Sequence, residues 1–360
     1  MQSRTPWPIE RAAELRRSFS RLARTPSLRW TYLMGNGEDV LNYIQAETAE
    51  DFAVLGGHQF VKPQTAEDWA SLDVVIVTAH GSDLSASLAA LRSKAPAALI
   101  ALWMWDNHVA QVNNLHTVLG TDIYFPSHRY SDAYLSNAAA LHGGHVPLCS
   151  AQWARAHVRR LFDESAAAPR DARMLVNYVD YSWSWRSEVI KSIAENVPEA
   201  AVITMPAHDR SRYFLKTSAE RFREWLGYKS TLILPLDSDL STRLFDALLA
   251  GLVPIVPHKV ADFDTVISPQ EQKRLGIVRT ADFEVATLRA AAIEAAAMFD
   301  AMGADGARAR HELAAGHHMI ADRFGAMLDA CQRAGSDGFA ITYGSLDGQR
   351  PALHNVHVRH

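Results

Sequence analysis

Only two cysteines, Cys149 and Cys331, occur in 360 residues. No disulfide framework can hold such a chain, and a reducing, cytoplasmic compartment is expected. No apolar run approaches the roughly 20 residues of a membrane span, and the first 30 residues lack the apolar core of a secretion signal. An excess of charge of one sign is missing as well, with 36 basic and 40 acidic residues. The net charge of -4 offers no general attraction to nucleic acid, which is not expected as a partner. Sixteen histidines are present, yet none stands in a His-Glu-x-x-His or Cys/His ligand pattern, so no metal site is expected. A Gly-rich P-loop and an early G-x-G-x-x-G are also missing, which removes the main support for kinase and dehydrogenase readings.

What remains is an ordinary globular composition, 48% hydrophobic and 21% charged. The length suits two domains of about 150 to 180 residues. The one strongly biased region is residues 1–28, where a basic helix is expected from about Ile9 to Arg24 with Leu15, Phe19 and Leu22 on one face. It reads either as a surface helix of the first domain or as a foot on an anionic membrane.

From Arg29 an α/β rhythm begins, with apolar strands expected at Arg29–Leu33, Asp73–Thr78, Ala97–Trp103, Ile123–Phe125 and His145–Leu148. Helical patterns lie between, at Leu84–Arg92 and Ser131–Leu141. Near-continuous apolar strands alternating with helices imply a parallel sheet covered on both faces. The small, polar stretch 163–172 reads as a linker. The rhythm then restarts, with strands at Met174–Val176, Ala201–Met205, Thr231–Leu234 and Val253–Val256, and a short one at Gly276–Val278. Alanine-rich helices at Val285–Met302 and Ala307–Cys331 close the second domain. The expected fold is α/β, two Rossmann-like domains facing across a cleft, spanning 29–162 and 173–334. The tail 335–360 shows no clear period.

The densest information lies in Pro235–Pro257, PLDSDLSTRLFDALLAGLVPIVP. A buried strand feeds a polar turn, Ser241 is a plausible N-cap, and Leu244, Phe245, Leu248 and Leu249 fall at helical spacing. Gly251 reads as a left-handed stop before the next strand. A helix opening with Ser241, Thr242 and Arg243 at a strand's carboxyl end offers amides, dipole and a guanidinium to phosphate. Asp246, one turn on, suits ribose hydroxyls.

This segment resembles the donor-binding segment of GT-B glycosyltransferases, in which an acidic residue precedes Ala and a small residue, Gly, x, Pro and an apolar strand follow. Asp246-Ala247, Ala250-Gly251 and Val253-Pro254-Ile255-Val256 match, over about 25 residues. The family's acidic residue is usually Glu. Its second Glu, eight earlier, is replaced by Ser238, with Asp239 as the nearest carboxylate, which leaves retention versus inversion open. The resemblance implies a nucleotide-sugar as substrate, no separate cofactor, and a carbohydrate or glycolipid acceptor of the bacterial surface-polysaccharide type.

Other constellations fit that frame. Arg186, at a helix start, suits a pyrophosphate, with Tyr181 and Trp183 for base or sugar; Lys259 suits a phosphate after the next strand. In the first domain, Asp106 or His108 follows a strand and could deprotonate an acceptor hydroxyl. His80, Trp105, His128 and Arg129 occupy comparable strand-end positions and are candidate acceptor contacts. The rival readings are a sugar-nucleotide epimerase or phosphorylase of the same shape, and a non-catalytic nucleotide or sugar binder.

Overall fold

The computed structural model describes residues 7–34, 49–80, 84–106, 111–129, 141–165, 167–206, 215–236, 239–337, 339–347 and 350–358. The chain forms two compact units. The first takes the described residues up to Pro147 and again from Ala321; the second runs from Leu148 to Ile320.

The first unit is built on strands β1 (Arg29–Met34), β2 (Val54–Leu55), β3 (His58–Phe60), β4 (Val74–His80), β5 (Leu99–Asp106), β6 (Ile123–Pro126) and β7 (Leu141–His142). They lie in the order β2-β3-β1-β4-β5-β6-β7, parallel except for the β2–β3 pair. Val74–Val77 and Leu99–Met104 are buried on both faces, as a covered parallel sheet requires. The basic helix, Trp7–Ala23, packs Leu15, Phe19 and Leu22 inward. Arg21 secures it by bonding to Asp73 and to the Ala97 carbonyl, the latter at 2.8 Å. Arg16, Arg17 and Arg24 stay exposed.

The second unit holds β8 (Asp171–Asp180), β9 (Ala200–Pro206), β10 (Tyr228–Leu232), β11 (Val253–Pro257) and β12 (Val278–Thr280). Its order is β12-β11-β10-β8-β9, all parallel. From β8 the chain goes to β9 on one side and then to β10 on the other. The strand order therefore reverses between β8 and β10, where open α/β sheets bind ligands beyond their carboxyl ends. Helix Trp185–Asn196 follows β8, and helix Thr242–Leu249 follows the turn after β10. A long helix, Val285–His317, broken at Gly303, lays Leu288, Ala291, Ala292 and Ala295 on the sheet.

Two boundaries differ from the sequence expectation. The units part at Pro147/Leu148 rather than across 163–172. Helix Arg155–Glu164 buries Val158, Leu161 and Phe162 and belongs to the second unit. The last helix, Ile320–Asp337, returns to the first unit. There Phe324 enters an aromatic cluster with its ring centroid 5.6 Å from Trp30, 5.4 Å from Phe52 and 5.5 Å from Tyr32. The tail is a regular antiparallel hairpin of β13 (Phe339–Asp347) and β14 (Arg350–Val358), set against the first helix. The strand expected at His145–Leu148 is instead β7, a few residues earlier. The helix expected at Ser131–Leu141 lies almost entirely outside the described residues.

Candidate functional site

The carboxyl ends of β8 and β10 are joined by one side chain. The buried Tyr178 hydroxyl donates to the Leu232 carbonyl at 2.9 Å and accepts from the Leu234 amide at 2.7 Å. This bond pair continues the sheet past the last residue of β10, at the point where the strand order reverses. Burial raises the Tyr178 pKa, so the phenol stays neutral.

Two guanidiniums converge on that ring. Arg186 lies with its Cζ 4.9 Å from the Tyr178 ring centre and Arg243 at 4.5 Å, while Arg186 also sits 5.3 Å from the Tyr181 ring. Arg186 is positioned by the Ser184 N-cap, whose hydroxyl accepts from its amide at 3.3 Å, and by a 3.3 Å bond from Nη2 to the Val179 carbonyl. It is 8% exposed, its Nε has no hydrogen-bond partner, and burial followed by the nearby Arg243 lowers its pKa. Arg243 enters on the first turn of its helix, where the Ser241 hydroxyl accepts from the Arg243 amide at 3.4 Å. Among the described residues neither guanidinium has a carboxylate in an ion pair with it. Two cations brought together beside a helix N-terminus, with no carboxylate in an ion pair with either, have the chemistry to take an anion.

The turn between β10 and this helix is held from two sides. Trp185 Nε1 donates to the Leu236 carbonyl at 2.7 Å, and the Asp239 carboxylate accepts from the Leu236 amide. Asp239 is thus buried as a turn ligand. Ser241 and Thr242 are part-exposed at the helix start. Tyr181 and Trp183 have ring centroids 5.5 Å apart, and Trp183 is 64% exposed. Lys259 is exposed just beyond β11.

The other end of helix Thr242–Leu249 is closed by two arginines and a histidine. Arg170 Nη1 donates to the Ala250 carbonyl at 2.7 Å, Arg310 Nε to the Gly251 carbonyl at 2.9 Å, and His311 Nδ1 meets the Leu249 carbonyl. Burial pushes both arginine pKa values down to about 10. Gly251 follows with φ 72°, the left-handed stop its sequence position suggests.

Asp246 does not face this site. It is 1% exposed, and its oxygens accept from Ser150 Oγ at 2.7 Å and Gln152 Nε2 at 3.0 Å. Burial is the largest influence on it and pushes its pKa up to about 7, against hydrogen bonds and Arg243 that pull it down. Each oxygen already holds one hydrogen bond, and almost none of the residue's surface is open. Ser150 and Gln152 carried no sequence signal, since they lie almost a hundred residues away and in no recognisable motif.

In the first unit, Trp105 and His128 are buried rather than presented to an acceptor. Trp105 packs edge-on against Trp103 at 4.7 Å, and His128 Nδ1 lies 3.1 Å from Ser127 Oγ. Trp105 lies at the end of a strand that is buried on both faces, and His128 lies in the bend after the next strand, held against Ser127. Arg129 is exposed. His80 and Asp106 end β4 and β5 as register partners, which sets their backbones side by side at the carboxyl edge. His108 lies outside the described residues. Among the described residues no cluster of three or more His, Cys, Asp or Glu is gathered as a metal would need.

No protein-family description matches this chain, and no curated protein matches it in sequence. Solved structures do match. An alpha-glucosyltransferase in complex with UDP and a mismatched 13-mer DNA is similar over 85% of this chain and 100% of its own, at TM-score 0.59 and 11% identity. A wall teichoic acid polymerase, TagF, is similar over 91% of this chain and 94% of its own, at TM-score 0.37 and 11% identity. A GtfA/B complex chain covers 74% of this chain at TM-score 0.41 and 11% identity, and the present chain spans 58% of that one. The fold is that of the GT-B glycosyltransferases, two Rossmann-like α/β units.

Proposed function

We propose that this chain is a glycosyltransferase whose second unit takes a nucleotide-sugar donor beyond the carboxyl ends of β8 and β10. The observation that carries this reading is the pair Arg186 and Arg243 over Tyr178, two cations with no ion-paired carboxylate among the described residues, at the strand-order reversal of a GT-B fold. A diphosphate supplies the missing negative charge. Ser241 and Thr242 with the helix amides complete the cradle, and Lys259 adds a mobile cation at its rim. Tyr181 and Trp183 offer faces for the base or the sugar.

As the sugar leaves, charge builds on the terminal phosphate oxygens, and cations already in place stabilise it without reorganisation. No metal need be invoked for that role. The acceptor hydroxyl must lose a proton, and Asp106, beside His80 at the edge of the first sheet, is the candidate base among the described residues. A carbohydrate or glycolipid acceptor suits the exposed Arg16, Arg17 and Arg24 of the first helix, which would meet an anionic membrane surface.

Calorimetric titration with UDP, GDP, CMP and dTDP tests the donor site. Micromolar binding of one nucleotide, weakened by Arg243→Ala, is expected. Absence of binding to all four removes the transferase reading while leaving the fold in place.

A further inference from the structure

The chain passes between its units twice, at Pro147/Leu148 and at Ile320/Ala321. Within the second unit the two passing segments run side by side. Ser150 and Met319 form a parallel bridge, and the Ser150 amide donates to the His318 carbonyl at 3.0 Å.

Both segments are fastened to helix Thr242–Leu249, which carries Arg243. From the first segment, Ser150 Oγ and Gln152 Nε2 bond separately to the two oxygens of Asp246. From the second, the His318 ring stacks on Phe245, centroids 4.9 Å apart and planes 30° apart. Asp246 lies three residues beyond Arg243, one turn along the same helix.

A carboxyl group is a costly choice for this position. It has two neutral donors, no ion-paired cation and almost no water, whereas an aliphatic side chain would need no hydrogen bonds at all. What the carboxyl adds is direction: two bonds at fixed geometry to residues two apart on one segment. Phe245 contributes contact area but no comparable constraint on register.

We propose that Asp246 is a positioning residue that latches the paired passing segments to the donor helix. The setting of Arg243 and the path of the chain out of the second unit are then coupled. The coupling rests on the donor reading of Arg243; the latch itself does not. Coupling of this kind is reciprocal. A nucleotide on Arg243 tightens the passing segments, and loosening those segments weakens the nucleotide.

The charged and titratable groups around the latch are few. Arg243 is on its own helix, Arg310 and His311 come from the long helix, and His318 comes from the second passing segment. Arg310 and His311 are already committed to the Gly251 and Leu249 carbonyls.

Amide hydrogen exchange on the full chain, with and without UDP, tests the proposal. The variants are Asp246→Ala, Asp246→Asn and Ser150→Ala. Without nucleotide, Asp246→Ala and Ser150→Ala should speed exchange at residues 148–152 and 318–320 at least tenfold. Asp246→Asn, which can still accept from Ser150, should rescue part of the protection. Unchanged exchange in both Ala variants overturns the latch, and Ser150→Ala keeps the test valid should Asp246→Ala fail to fold.

With UDP, the same residues should gain protection in the parent chain and not in Asp246→Ala. UDP binding without added protection overturns the coupling. If UDP does not bind, the donor reading fails and the exchange without nucleotide still decides the latch. A ribose role for Asp246 would appear differently. Asp246→Asn would then lower UDP affinity by a hundredfold or more, leave 2′,3′-dideoxy-UDP unaffected, and leave the exchange pattern untouched.

Discussion

Arg186 and Arg243 come from different helices and share one aromatic ring, lying 4.9 and 4.5 Å from the centre of Tyr178. Like charges at such a spacing repel, and Arg186 has in addition been taken out of water. The ring's negative face offsets part of this, at about 0.5 to 2 kcal/mol per cation. The remainder is repulsion that a bound anion would relieve.

That repulsion sets the first prediction. Arg186→Met should leave unfolding stability unchanged or raise it, because the variant releases a desolvated cation. Its nucleoside diphosphate affinity should nonetheless fall about 10- to 100-fold, the worth of a charge-assisted hydrogen bond of roughly 1.5 to 3 kcal/mol. Urea titration and calorimetry on one preparation would separate the two effects. Lost stability with intact affinity would make Arg186 a structural residue.

Tyr178→Phe removes a hydroxyl that serves as both donor and acceptor between β8 and β10. Two buried backbone groups lose their partner, at about 1 to 3 kcal/mol each when left unsatisfied. The aromatic platform survives, so nucleotide affinity should change less than stability does. Denaturant midpoints alongside nucleotide titration would show this order of effects.

Asp246 predicts an unusual pH dependence. Its folded pKa, about 7, lies above the ordinary 3.8. The folded chain therefore holds a proton that the unfolded chain has released over roughly pH 4 to 7. The stabilisation is complete below pH 4 and is lost as pH rises through 7, by up to about 1.4 kcal/mol per pH unit. The half-exposed Asp171 and the exposed Asp264, whose pKa values are lowered by Arg173 and Gln272, act in the opposite direction, and their stabilisation is lost as pH falls. The contrast between the parent chain and Asp246→Asn isolates the single group. The two stability profiles should diverge across this window, and parallel profiles would refute the assignment.

Gly251→Ala should destabilise by about 2 to 4 kcal/mol, combining a left-handed backbone with an overpacked contact. At φ 72° an added Cβ would lie 2.9 Å from the Ala307 carbonyl oxygen and 2.9 Å from Phe162. Thermal unfolding of the variant measures this directly.

The second sheet was legible because its strands are short apolar runs, each bounded by a turn or a cap. Ser241, Gly251 and the stripe Leu244, Phe245, Leu248 and Leu249 mark helix Thr242–Leu249 by local chemistry alone. The unit boundary was not legible. It is set by Phe324 reaching Trp30 and by Phe162 packing in the second unit, contacts between residues far apart in sequence with no local signature. Asp246 escaped for a related reason. Its helix is buried on a second face by Ser150 and Gln152, and periodicity reports only the face that packs on the sheet. Trp105 and His128 show the limit at strand ends, where composition marks the place and tertiary packing decides whether a ring is buried.

A helix of eight residues is about 12 Å long, so its two poles stand close enough to cancel much of each other's field. In helix Thr242–Leu249 the carbonyl pole is covered by Arg170, Arg310 and His311. With its opposite thus neutralised, the amide pole behaves toward its surroundings as a lone positive source. The arginines at the far end, which no ligand of the proposed site would touch, therefore set the electrical strength of that site.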